Sequence, residues 1–407
     1  MIPFHEAKSI VKKHVFTLGK ETISIQSIGG RVLAQDIVAT FPSPQFDNSA
    51  MDGFAVRSAD TQGASRNNPI TLNMVSISSA GMPSDVVLQS GECTQCMTGA
   101  KIPNGADAII MVEDSSGFSD SETVQIMLET FPEKHIRKMG EEINEGETLI
   151  EKGTLITPAE IGTCATFGYG EIEVSKKPKI AIFGTGDELI EPGKILCEGQ
   201  IYNSNLYVFK ELVDRAGGEV VMQDVIKDNK DSLREFLSRA LETCDVIISS
   251  GGVSMGRYDY VRDIFMELGV EEHFWKVAQK PGKPLFYGTG NNTLIFGLPG
   301  NPVSSYIGFM EWVWLAIETM MGKDESKKVT GILKKSFPRE KVKYRFLFGN
   351  AWMEDGQLVC QSSTKIGSHM LSSSLDSNCI LGSEPGDGNL VAGEKIDINI
   401  LPWKSIK

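Results

Sequence analysis

A chain of 407 residues exceeds one comfortable hydrophobic core, so two to four domains are expected. Its 41% apolar and 23% charged residues are those of a soluble globular protein, and a net charge of −13 excludes a general nucleic-acid binder, which would carry a basic stripe. No apolar stretch reaches membrane-spanning length, and no basic segment with an apolar core opens the chain, so a cytoplasmic protein binding neither membrane nor nucleic acid is expected.

The first 40 residues begin with a helical pattern, in which Ile2, Ala7, Ile10 and Val11 share a face. Residues 31–38 read as a short helix or an extended segment, and Phe41-Pro-Ser-Pro breaks the run. Short apolar runs between Gly, Pro, Asn and Ser then mark a β-rich domain to about residue 140. Within it, Asp47, Asn48, Asp52 and Gly53 suit turns. Cys93-Thr-Gln-Cys96 has redox or metal spacing but no matching second pair, and reads as strand; the seven scattered cysteines read as reduced thiols. Thr157-Pro-Ala-Glu starts a helix, with Thr157 as cap, Pro158 in the first turn and Glu160 at the third position.

Residues 179–322 alternate strands with amphipathic helices, the pattern of a mostly parallel sheet covered on both faces. Expected strands are 180–183, 219–226, 246–249 and 293–296. One expected helix carries Leu206, Phe209, Leu212, Val213 and Ala216 and closes on Gly217-Gly218. Another carries Leu233, Phe236, Leu237, Ala240 and Leu241, a third spans about 260–268, and a long apolar helix runs to 321. The C-terminal residues 327–407 alternate in short runs and read as a small barrel or sandwich. The fold class is therefore α/β multidomain: a central doubly wound, mostly parallel sheet domain, flanked by β-rich N-terminal domains and a small C-terminal β-barrel-like domain.

Ligands of such sheets bind beyond the carboxyl ends of the strands. Every unusual loop here occupies such an end: Gly184-Thr-Gly-Asp-Glu, Asp228, Ser250 to Asp259, and Gly297-Leu-Pro-Gly-Asn-Pro. They set Asp187, Glu188, Asp228 and Asp259 beside glycine-rich anion cradles, a combination that suits Mg2+, although each carboxylate could also cap a helix. Gly251-x4-Gly256 lacks the Lys and Ser/Thr of a P-loop, and Gly184-Thr-Gly has Leu189 where a dinucleotide fingerprint needs glycine. Lys276, Lys280 and Lys283 form a local basic run, stiffened by Pro281 and Pro284, that suits anion contacts.

Phe46-Asp-Asn-Ser-Ala-Met-Asp-Gly, Met97-Thr-Gly-Ala, Thr185-Gly-Asp-Glu-Leu, Gly199-Gln-Ile-Tyr-Asn-Ser-Asn, Ser249-Ser-Gly-Gly-Val-Ser, Lys280-Pro-Gly-Lys-Pro and Gly297-Leu-Pro-Gly-Asn-Pro-Val-Ser together resemble the MoeA-type molybdopterin molybdenumtransferases, a family also found as the C-terminal domain of gephyrin. The resemblance runs from about Phe4 to Pro402 and implies insertion of molybdenum from molybdate into adenylylated molybdopterin, with Mg2+, releasing AMP and molybdenum cofactor. It implies a homodimer of four-domain subunits: an elongated linker and dimerisation domain (1–41 plus 143–177), a β-rich domain (42–142), the molybdopterin-binding α/β domain (178–326) and a C-terminal β domain (327–407). Molybdopterin adenylyltransferase and apo-molybdoenzymes are the partners it suggests.

Carried over by position, Glu188, Asp228 and Asp259 are metal-binding and catalytic, with Asp52, Lys276 and Lys280 also catalytic. Gly184, Asp187, Ser250, Gly251 and Gly252 bind the cofactor moiety, and Pro299 and Pro302 match the molybdate neighbourhood. Asp52, Thr98, Arg137 and Glu142 match positions supplied by the partner subunit, and Ser368 one in the C-terminal domain. Asn203 and Glu142 stand where aspartate is common in the family. A molybdopterin adenylyltransferase-like step, or a cofactor-binding scaffold, is the alternative reading.

Overall fold

The computed structural model describes residues 1–227, 229–252, 260–323 and 329–406. The chain forms two compact units, one of residues 1–35, 153–157 and 171–407, the other of residues 36–152 and 158–170.

The first unit is built on a six-stranded sheet in the order Glu219–Ile226, Lys179–Thr185, Val246–Ser250, Thr293–Leu298, Phe286–Gly290, Glu271–Trp275. The first four strands are parallel, and Phe286–Gly290 runs antiparallel to both of its neighbours. Both faces are covered, which is why the strands read as nearly continuous apolar runs. Ile180, Ile182, Val246, Ile248, Leu294 and Phe296 pack with the helix Asn205–Ala216 and the long C-terminal helix. Ala181, Phe183, Ile247 and Ile295 pack on the opposite side with the helices Lys230–Thr243 and Tyr260–Glu267.

Local signals explain most element ends. Gly217 closes its helix at φ 96°, a left-handed conformation that glycine adopts without a Cβ penalty. Asn229 opens the next helix, its Oδ1 accepting from the Asp231 and Ser232 amides at 2.8 and 3.3 Å. The antiparallel hairpin of Glu271–Trp275 and Phe286–Gly290 lies outside the strands expected at 180–183, 219–226, 246–249 and 293–296. The glycines of Phe286-Tyr-Gly-Thr-Gly weaken its strand signal, yet Gly288 is needed where it stands, because a Cβ there would lie 2.8 Å from the Glu271 carbonyl oxygen. The long helix is also interrupted, running as Pro302–Gly308, a π-helical turn at Phe309–Val313, and Trp314–Met320.

The C-terminal segment is a closed five-stranded barrel. Tyr344–Glu354 pairs with Gln357–Ser362 and with Cys379–Ser383, and Val329–Leu333 and Lys395–Ile400 complete the ring. Leu333, Ala351, Cys360, Cys379, Leu381, Ile396 and Ile398 fill its interior. Tyr344 and Arg345 also pair in parallel with Gln279 and Lys280, so the barrel and the basic loop share a backbone ladder.

The N-terminal helix Phe4–His14 buries Phe4, Ala7 and Val11, and Phe4 stacks on Tyr344 with ring centroids 4.4 Å apart. At its other end His14 stacks on His273, centroids 3.9 Å apart. Burial, with the charges of His14 and Lys13 nearby, holds the His273 pKa below its ordinary value. The folded state therefore favours the neutral ring. That contribution to stability is present above about pH 6.5, the unfolded value, and is lost as the pH falls below it. The melting temperature of His273→Gln should accordingly change less between neutral and mildly acidic pH than that of the unaltered protein; equal slopes would remove His273 from this role.

In the second unit a five-stranded sheet has the order Ala108–Met111, Gly53–Val56, Glu92–Cys96, Ile70–Ser78, Thr123–Ile126. Three residues apart on one strand, Cys93 and Cys96 face opposite sides and join separate apolar clusters. Burial pushes their thiols up to about 12 and about 11, so neither is a nucleophile at neutral pH. The helix expected from Thr157-Pro-Ala-Glu is Pro158–Thr166.

Candidate functional site

A cleft of about 1050 Å³ in the first unit lies at the carboxyl ends of the parallel strands. Thr185, Gly186 and Glu188 enter it from the first loop, Ser250, Gly251 and Gly252 from the second, and Pro299 to Pro302 from the third. Lys280, Lys283, Lys343, Arg345, Ser368 and His369 form its other wall.

Three backbone devices shape these loops. At Gly186, φ is 141° and any Cβ would collide with the Glu188 carboxylate. Only glycine there lets that carboxylate fold back over the turn. Gly251 and Gly252 have φ of 87° and 70°, and a Cβ on Gly252 would collide with Val261 and stand 2.9 Å from Thr185 Oγ1. Gly252→Val should therefore disorder this loop and abolish turnover while the sheet survives. Near-native turnover in that variant, with native circular dichroism, would show that the tight passage is dispensable.

Two side-chain amides, of which Gln279 is buried, fasten these loops. Asn205 Nδ2 donates to Ser250 Oγ at 2.7 Å and to the Gly300 carbonyl at 2.8 Å. Gln279, 1% exposed, donates from Nε2 to the Gly282 carbonyl and accepts at Oε1 from Trp312 Nε1, each at 3.1 Å. This pins the loop 280–284, in which Gly282 has φ 84°. Ser368 contributes its carbonyl oxygen, which accepts from the Val303 amide at 3.0 Å.

Four cations line the cleft, and Glu188 is the one carboxylate among the described lining residues. In a chain of net charge −13 this is a local inversion of the field, suited to an anion. Lys280 Nζ and Glu340 Oε1 are 2.6 Å apart, and Arg345 Nη1 lies 3.7 Å from the same oxygen. The Lys280 hydrogen bond holds the Glu340 carboxyl below its usual range. Arg345 is 6% exposed; its Nη1 donates to the Pro338 carbonyl at 2.7 Å, while its Nε is buried with no acceptor among the described residues.

The structure brings together Glu188, Ser250, Gly251, Gly252, Lys280, Pro299, Pro302 and Ser368. Gly184 and Asp187 flank the first loop without lining the cleft, and Lys276 instead places its Nζ 3.7 Å from the centroid of the Trp275 ring. Asp228 and Asp259 lie outside the described residues. Lys343, Arg345, Asn205 and Gln279 carried no site expectation. The available signal was Lys343-Tyr-Arg, which strand alternation turns into two cations on one face.

The remaining expected residues belong to the second unit. Asp52 Oδ1 accepts from the Thr98 amide and from Thr98 Oγ1, both at 2.7 Å, and these bonds hold Asp52 below the usual carboxylate range. Arg137 lies on Ile136–Arg137, paired with Asn48–Ser49. Glu142 accepts from Ser43 Oγ at 2.9 Å. Gly99 and Ala50 tie these loops together, their amides donating to Ser49 and His135 carbonyls at 2.8 and 2.9 Å. Asp47 serves the turn as expected, accepting from the Met139 amide at 2.8 Å.

Three family models match the chain: MoeA N-terminal region (domain I and II) over residues 2–168, probable molybdopterin binding domain over 181–318, and MoeA C-terminal region (domain IV) over 330–401. The molybdopterin molybdenumtransferase of Haemophilus influenzae is 34% identical over 406 residues, 98% of each chain. That of Staphylococcus aureus (strain Mu50) is 33% identical over 399 residues, 98% of this chain and 95% of the other. The crystal structure of the molybdopterin biosynthesis MoeA protein from Pyrococcus horikoshii OT3 matches with a TM-score of 0.80 at 30% identity, covering 98% of this chain and all of that one (100%). By full-length sequence identity and by fold, the chain belongs to the MoeA family of molybdopterin molybdenumtransferases.

Proposed function

We propose that this protein is a molybdopterin molybdenumtransferase of molybdenum cofactor biosynthesis, inserting molybdenum from molybdate into adenylylated molybdopterin and releasing AMP. The observation that carries this reading is the cationic wall of the cleft. Molybdate is a tetrahedral dianion, and Arg345 offers it a planar guanidinium whose Nε has no acceptor among the described residues, with Lys280, Lys283 and Lys343 alongside. Glycine-rich strand ends opposite that wall leave room for the organic substrate.

Mg2+ fits the donor set. It is a hard cation that binds one or two carboxylates beside substrate phosphates, and Glu188 supplies such an oxygen donor in the cleft. Glu188, with Asp228 and Asp259 at the neighbouring strand ends in the sequence, would hold it, and bound there it would neutralise phosphoanhydride charge. The chain's own contribution is to orient and hold both anions in a fixed polar site, and no covalent protein nucleophile is required. The same reading takes the protein as a cytoplasmic homodimer, with Asp52, Thr98, Arg137 and Glu142 of the second unit supplied across the dimer. Molybdopterin adenylyltransferase and apo-molybdoenzymes are its upstream and downstream partners. Among the described residues, no helix is long and apolar enough to cross a membrane.

Reconstitution tests the reading. Purified protein with adenylylated molybdopterin, Mg2+ and molybdate should release AMP only when molybdate is present and should activate an apo-molybdoenzyme. Tight adenylate binding with neither outcome would favour a scaffold instead.

A further inference from the structure

Beyond Glu188 the chain forms a short strap at the cleft. Leu189–Ile190 pairs in parallel with Ile201–Tyr202, and the Ile201 amide donates to the Glu188 carbonyl at 2.9 Å. Leu189, Ile201 and Tyr202 of this strap line the cavity. Ile201 is 55% exposed and Tyr202 45%, so the strap presents apolar surface to a cleft otherwise shaped by glycines and cations. The Tyr202 ring is nevertheless held: its hydroxyl donates to the Lys194 carbonyl at 2.8 Å. The turn between them is closed by the Cys197 amide, which donates to Gln200 Oε1 at 2.9 Å. Of the Phe and Tyr rings among the described lining residues, Phe346 is buried and packs on Phe4 and Tyr344. Tyr202 is the one that offers an open face.

The organic substrate brings two flat heterocycles, the pterin and the purine of its adenylate half. Molybdenum must meet the dithiolene of the pterin half, so that half belongs with molybdate at the cationic wall. The adenylate half then extends from the phosphoanhydride beside Glu188 toward the strap that starts at the next residue. We propose that the Tyr202 ring, with Ile201 beside it, is a stacking platform for the purine and selects adenylate over phosphates that lack a base. The platform rests on the transferase reading and adds to it the residue that recognises the base. A ring already fixed by its hydroxyl gives up little freedom when a purine settles on it. The lysines and Arg345 respond to charge alone, so discrimination among phosphates falls to the strap.

Calorimetric titration of AMP, ribose 5-phosphate and molybdate, each into the full-length protein, tests this. The unaltered protein should bind AMP about tenfold or more tighter than ribose 5-phosphate, the size of effect that one stacked base brings. Tyr202→Ala should remove that preference by weakening AMP alone, with ribose 5-phosphate and molybdate changed by less than about twofold. Tyr202→Phe keeps the ring and should stay within about threefold of the unaltered protein for AMP. Should Tyr202→Ala fail to melt cooperatively, Tyr202→Leu, which keeps apolar bulk without a flat face, decides. Unchanged AMP affinity in the folded variant, equal weakening of AMP and ribose 5-phosphate, or a Tyr202→Phe as weak as Tyr202→Ala would overturn the platform. The outcome stands apart from that of the transferase reading: base-dependent AMP binding through Tyr202, without molybdate-dependent AMP release, would retain the platform and defeat the reaction.

Discussion

Replacing Arg345 by alanine is expected to lower molybdate-dependent AMP release by about two orders of magnitude, the usual loss when one preorganised oxyanion donor is removed. Arg345 is 6% exposed, so its guanidinium is shielded from bulk water at the place where an anion would bind. Its Nη1 is committed to the Pro338 carbonyl at 2.7 Å, and its buried Nε lacks an acceptor among the described residues. Arg345→Lys should recover little, because an ammonium cannot reproduce the planar fork. Steady-state kinetics at varied molybdate check this, with circular dichroism as the control for folding. A wild-type kcat/KM for molybdate in Arg345→Ala would remove the residue from the site and the cationic wall from the reading.

The second large effect falls on stability. Gln279→Leu should destabilise the protein by about 2–5 kcal/mol, since it strands the Trp312 indole N–H and the Gly282 carbonyl in a buried environment together. Trp312 is fully buried beside Phe4 and Phe274, so water cannot readily replace the lost acceptor. Activity should fall as well, because the same amide pins the loop carrying Lys280 and Lys283. Urea unfolding would detect the change; a midpoint equal to that of the unaltered protein would mean that the loop is held by other contacts.

Much of this site was legible in the residues. Sheet strands covered on both faces must be apolar throughout, so 180–183, 246–249 and 293–296 stand out, and the loops beyond them must gather along one edge. Glu188, Ser250 and Pro299 follow from that rule alone. The edge hairpin was obscured by the glycines of Phe286-Tyr-Gly-Thr-Gly, of which Gly288 stands where the Glu271 carbonyl passes close by and Gly290 packs against Val270. Arg345 was obscured for a different reason. Strand alternation gives the face on which a residue lies but not which distant segment pairs with it, and the pairing of Tyr344–Arg345 with Gln279–Lys280 spans more than sixty residues of sequence. Lys276, next to the loop in sequence, turns to Trp275 through a positive φ of 79°, which no periodicity announces.

That short parallel pairing also determines how the positive wall can move. Lys280 and Arg345 are register partners on one ladder, and both reach Glu340, at 2.6 and 3.7 Å. The loop cannot swing outward while the barrel stays, and the barrel cannot tilt without drawing the lysine with it. Their two charges travel as a single rigid jaw, so the spacing between them is inherited from backbone geometry instead of being recreated each time an anion arrives. A protein shortened before residue 329 would lose the strand that carries Arg345 and, with it, the rail that holds Lys280 in line.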